Sequence, residues 1–251
     1  VFIISAICTW STGRREMVKE NADVIAKRSF LVKQPSKRKS FTIGLAEGVS
    51  YLRGQPLLWK MILFNCFWAL GGGGVLVVVT TINQHRFGGS ENLLGILYAI
   101  IGISAFMVLP FRSQFGKERE KDLLFLGVFS IIEGILFVFL VLVSNLKVFL
   151  LIFALQMAAS FVFGLIYQPL LINQVSDKMR GRVLGVDNGL TLALYGAAAA
   201  LYGFMLNHTD VIVAGLIGGG IMSAAGTLWI MASSLDLICR RNFSTGGTHT
   251  E

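Results

Sequence analysis

Residues 148–172 read VFLLIFALQMAASFVFGLIYQPLLI, 25 consecutive positions without a formal charge. A helix needs roughly 20 apolar residues to cross the hydrocarbon core of a bilayer. This run is too long for a core strand, and a helix satisfies its own backbone where no water can. Working outward, residues 61–82, 93–111 and 123–143 precede it, and 183–206 and 211–235 follow it, each of similar length and character. In chain order these are spans A to F. The predicted fold is an all-α membrane protein with six transmembrane helices.

The composition agrees. Of the 251 residues, 54% are hydrophobic and only 14% charged, against roughly 25% charged in a soluble domain. Such a chain cannot cover a water-facing surface of that size with polar groups. Gly is abundant at 28 and Pro scarce at 4, which suits membrane helices packed backbone against backbone. The net charge of +8 is not spread over a surface, because 11 of the 22 Lys and Arg lie between Arg14 and Lys60. That cluster reads either as a solvated loop or as a segment drawn to anionic lipid. No zinc spacing and no nucleic-acid motif occurs, so no metal, cofactor or nucleic-acid partner is expected. Cys8, Cys66 and Cys239 cannot all pair within one chain and are expected as free thiols.

Residues 1–10 are apolar but too short to cross, without a basic start or a following cleavage pattern. They read as the end of a truncated transmembrane helix. Residues 11–60 form a basic loop. In its last part Leu45, Val49 and Leu52 recur at helical spacing, predicting a short amphipathic helix on the membrane surface that Pro56 ends or kinks. Residues 61–235 make the six-helix bundle and 236–251 a tail. Arg112, Lys117, Arg119 and Lys121 separate B from C, Lys178, Arg180 and Arg182 separate D from E, and Arg240 and Arg241 follow F. The alternate connections carry only Arg86, Lys147 and, between E and F, no Lys or Arg. By the positive-inside rule the N-terminal loop and the C-terminus are cytoplasmic. The expected location is the cell inner membrane.

Three stretches carry a family resemblance. LAEGVSYLRGQPLLWKMILFN (residues 45–65) resembles the approach to helix seven of the major facilitator superfamily, in the branch of enterobactin exporters and macrolide efflux proteins. GSENLLGILYAIIGI (89–103) is similar to the start of helix eight, and NQVSDKMRGRVLGVDNG (173–189) to the loop between helices ten and eleven. The superfamily's Gly-x-x-x-Asp-Arg-x-Gly-Arg loop is replaced by Gly116, Lys117, Glu118, Arg119, Glu120 and Lys121, which keeps the basic character alone. The resemblance implies the C-terminal half of a twelve-helix transporter, with an N-terminal six-helix half as partner. It implies secondary active efflux of small amphipathic molecules, such as drugs or siderophores, by alternating access. No nucleotide-binding motif is present, so an ion gradient is the expected drive. An intramembrane enzyme would need a nucleophile–base pair or a metal cluster in the spans, and the sequence offers neither. The competing class is a half-size or non-transporting membrane protein, an assembly subunit or an inactive remnant.

Polar groups inside a membrane cost free energy and collect where substrate or water passes. Gln156, Ser160, Phe163 and Tyr167 share one face of span D; Asn188, Thr191 and Tyr195, with Tyr202, share one of span E; span A adds Asn65, Trp68 and Gly72. The resemblance implies that these three helices border the central cavity. The same residue types also serve interhelical packing. Asp177, Arg180, Arg182 and Asp187 place both signs at the basic mouth of D and E, either as a cytoplasmic gate latch or as topology signals. Glu133, in the middle of span C, is either a possible proton site or a structural acid, neutral or bonded to a neighbouring helix; the resemblance sets span C away from the cavity, and Ser130 is its one polar neighbour at helical spacing. The run Gly71 to Gly74 suggests either a flexible point or close packing. Gly215 with Gly219, and Gly196, Ala200 and Gly203, read as helix contacts, and Pro169 is expected to kink span D.

Overall fold

The computed structural model describes the backbone of residues 41–115 and 118–245, and the side chains of 47–112, 115 and 118–234. The truncated helix end at 1–10, the basic loop up to residue 40, Gly116, Lys117 and the tail's side chains lie outside the described residues. Two compact units divide the chain, Val1–Gly44 and Leu45–Glu251. The described part of the first is the opening turn of one helix; the second is described below.

Among the described residues eight α-helices follow in order: α1 Phe41–Arg53, α2 Pro56–Gly72, α3 Val75–Arg86, α4 Glu91–Val108, α5 Arg119–Leu142, α6 Leu146–Gln174, α7 Arg180–Leu206 and α8 Val211–Thr245. A 3-10 turn, Leu109–Gln114, extends α4. Among the described residues there is no strand, and six segments are long and apolar enough to cross a membrane: Pro56–Arg86, Glu91–Arg112, Arg119–Leu142, Leu146–Gln174, Arg180–Leu206 and Val211–Ser234. Over the described residues the chain is a multi-pass, all-α membrane protein of six spans. Span A is α2 and α3 together; spans B to F are α4 to α8.

Local chemistry sets the helix ends. Helix α1 ends at Arg53, and Pro56 opens span A at the first helical turn, where its missing N–H costs nothing. Ser90 caps α4 by accepting from the Leu93 N–H at 3.3 Å, and Asn145 caps α6 by accepting from the Lys147 N–H at 3.0 Å. Gly88 and Gly89, with φ of 80° and 68°, make the turn into span B that L side chains rarely adopt. Helix α6 runs on through Pro169 to Gln174.

Small residues decide which helices touch. Spans C and F pack most closely, antiparallel, with Gly127 on Gly226, Gly134 on Gly219 and Val141 on Gly215. A methyl group at Gly134 or Gly219 would enter the facing backbone carbonyl. Cross-bonds lock this pair: the Ser130 hydroxyl donates to the Met222 carbonyl at 2.9 Å and the Trp229 indole N–H to the Leu123 carbonyl at 2.7 Å. Span A lies against F and E through its glycine run. Gly71 sits on Met222, Gly73 on Ala198, and Gly74 under the Tyr202 ring. The run is closely packed, as its second reading expects. The helix also turns at Gly73 and Gly74, both right-handed, without losing the bonds that flank them.

One sequence expectation fails. Gly196, Ala200 and Gly203 are not contacts within the bundle. Nothing lies within 4 Å of a side chain built at Gly196 or Gly203, and Ala200 is exposed. Of the most apolar 18 residues of each span, 56% are buried in A but 11% in E. Span E therefore turns its small-residue face outward.

Candidate functional site

Span A enters the bundle between D, E and F, so its inward side chains meet three neighbours at once. Asn65, three turns into α2, donates its amide to Asp187 Oδ1 at 3.1 Å and to the Thr191 hydroxyl at 2.8 Å. The Tyr167 hydroxyl of span D donates to the same Asp187 oxygen at 2.7 Å. Thr191 in turn donates to the Asp187 carbonyl. Three spans thus converge on one carboxyl group that is 1% exposed. Its second oxygen, Oδ2, has no hydrogen-bond partner among the described residues.

A second buried acid lies deeper. Glu133, 2% exposed in the middle of span C, accepts from the Trp68 indole N–H at 2.8 Å, with Ser160 of span D close by. Trp68 sits one turn beyond Asn65 on the same helix, so the two acids are linked through span A. Aromatic rings fill the space between them. Trp68 stacks on Phe163 at 4.5 Å and meets Tyr195 edge-on at 5.7 Å; Phe163 stacks on Tyr167 at 5.8 Å. Phe64 continues the column to Phe163 and to Trp229 at 4.8 Å. Neither carboxyl is in an ion pair among the described residues. Each is held by neutral donors inside a span.

The structure therefore brings together Asn65, Trp68, Ser160, Tyr167, Thr191 and Tyr195 of the sequence-predicted set. It leaves out two. Asn188 is exposed on the outer face of span E. Gln156 is fully buried with neither amide atom partnered among the described residues.

The gate assignment changes. Asp187 belongs to the buried cluster, because seven residues beyond Arg180 is two helical turns, about 10 Å, down the inner face of α7. Arg180 pairs instead with Asp177 at 2.8 Å, one exposed turn away. Arg182 pairs with Glu47 of α1. Tyr51 of α1 accepts from the Ser176 N–H, and Gly48 lies against the Arg182 carbonyl. Sequence reasoning missed Glu47 and Tyr51, since no periodic pattern joins α1 to a turn more than 120 residues away. Glu133 is bonded to a neighbouring helix, as the structural alternative expected: Ser130 is spent on Met222, while the donor Trp68 comes from span A. Cys66 is a half-buried free thiol; Cys8 and the Cys239 side chain lie outside the described residues. No group of three metal-ligating side chains occurs among the described residues.

Comparisons of the chain with protein-family models, with curated proteins and with solved structures find no match.

Proposed function

We propose that this bundle is one half of a secondary transporter of the major facilitator type. It moves small amphipathic molecules across the membrane by alternating access, driven by an ion gradient. The observation that supports this reading is the pair of buried acids, Glu133 and Asp187, held inside the spans by neutral donors and joined by stacked aromatic rings. A carboxyl at that depth costs too much to be kept for packing alone, and acids so placed mark ion or substrate pathways. The aromatic faces of Trp68 and Tyr195 suit an amphipathic cargo, and an exchangeable proton on either acid suits coupling to a gradient. The basic loops support a cytoplasmic side for the Arg180 turn and both ends of the bundle, and export as the direction rests on the family resemblance.

The test is dye uptake into everted membrane vesicles that hold both halves of the transporter and are energised by a proton gradient, with ethidium as the probe. Wild-type protein is expected to move the dye, and Asp187→Asn or Glu133→Gln to cut the rate at least tenfold at equal membrane abundance. Equal rates in vesicles with and without the protein would overturn the reading.

The exposed small-residue face of span E, with Gly185, Gly189 and Gly196 open, also supports a second reading. Such a face lets another helix approach closely, as in a non-transporting assembly subunit. That reading expects intact complexes and no dye movement in any variant.

A further inference from the structure

Helix α1 folds back over the turn that joins spans D and E. Glu47 pairs with Arg182, and the Tyr51 hydroxyl accepts from the Ser176 N–H at 3.4 Å, so one face of α1 reaches both sides of that turn. Between these contacts the helices meet at Gly48, which is buried. A methyl group built there would stand 3.1 Å from Val186 Cγ2 and 3.3 Å from the Arg182 carbonyl oxygen. Glycine therefore sets how closely the two backbones approach. Leu52, one turn further on, is fully buried, while Ser50 and Arg53 lie on the exposed face of α1.

What α1 covers is the stretch of span E that leads into Asp187. Val186 adjoins that acid in the chain, and Arg182 precedes it on the same helix. From inside the bundle Asp187 is held by Asn65 of α2 and Tyr167 of span D. Span E is thus gripped from two directions by one stretch of chain, α1 at its end and α2 further in. Gly54 and Gln55 are all that joins these two helices. The joint is free to bend: Gly54 is exposed, and a methyl group built on it would meet nothing nearer than the Tyr51 carbonyl at 3.5 Å. Hinges of this kind lie at the ends of elements. The contacts that hold α1 down are weak ones. The Glu47–Arg182 pair is about one-third exposed, which leaves it screened by water, and the Tyr51 bond is long. A short helix held in this way opens locally without unfolding the whole.

We infer that α1 is a strap over Asp187. Docked, it seals the acid from water on the Arg180 side; swung away at Gly54 and Gln55, it lets the first turns of span E loosen and water reach the acid. The strap follows from the contacts of α1 and does not depend on the transport reading. The test is hydrogen–deuterium exchange of the full chain in nanodiscs, read by mass spectrometry on peptides covering α1 and residues 183–190. Wild-type protein is expected to exchange slowly in both. Gly48→Leu, which forces α1 off Val186, should speed exchange at least threefold in both. Tyr51→Phe, which keeps the ring but removes the acceptor, should speed both by less, and it carries the same comparison if Gly48→Leu fails to fold. Ser50→Leu, on the exposed face of α1, should match wild type. Faster exchange in α1 with residues 183–190 unchanged would overturn the inference, because the strap would then cover nothing. So would no change in either peptide, or an equal rise in Ser50→Leu.

Discussion

Glu133 and its indole partner carry the sharpest residue-scale expectation. Trp68→Phe keeps the ring stacked on Phe163 but removes the N–H that Glu133 accepts. Leaving a buried acceptor short of a donor costs about 1–3 kcal/mol, so the variant should unfold correspondingly earlier in detergent. Glu133→Gln still offers a carbonyl oxygen to the indole and should cost less than Trp68→Phe. A larger loss in Glu133→Gln would show that the bond drawn here does not hold the pair. At the other acid, Asn65→Ala removes the donor shared by Asp187 and Thr191 and should cost about 1–3 kcal/mol by the same argument. Glu47→Gln is different. Its partner Arg182 is about one-third exposed, and partly exposed ion pairs are worth roughly 0–1 kcal/mol. A melting shift in Glu47→Gln beyond that range would mean that α1 clamps span E more firmly than one screened pair can.

At the scale of the element, one residue type has two opposite roles. Gly134 and Gly219 let spans C and F touch backbone to backbone, whereas Gly189 and Gly196 face open space. Gly134→Leu should therefore cost at least about 1–3 kcal/mol through overpacking. Gly196→Ala should leave the bundle as stable or more so, because Ala is the better helix former by about 1 kcal/mol. Unfolding of both variants in the same detergent checks the contrast, and similar losses at the two sites would contradict the packing described. The existence and type of every span were legible in the sequence, since each is a long apolar run, broken only by Glu133 in span C and Asp187 in span E. The ends were legible to within a few residues. Which side of each span faces inward was not. Helices that are apolar all round carry no stripe to read.

For the whole molecule, the alternation of basic and neutral connections makes a topological prediction. Reporters fused near Glu118 and near Asn145 should face opposite compartments, the first cytoplasmic, as judged by a label that cannot cross the membrane. The same compartment for both would remove the six-span arrangement. The candidate site was legible in part. The residue types that make it, an amide, tyrosines, a tryptophan and acids at intramembrane depth, stand out against an apolar background. Their partnerships did not. Asn65 meets Asp187 across 122 positions of chain, and Asp187 looked like a gate residue because the sequence sets it beside two arginines.

Length and hydropathy are sums along the chain, so six crossings and the side on which lysine and arginine gather follow from the sequence alone. Inside lipid, however, the surroundings of a helix are as apolar as its neighbours, so polarity no longer marks the buried face. Contacts between distant segments then decide. That is why only the tertiary structure could put Glu133 under Trp68, draw Asp187 into the core and turn the glycines of span E outward.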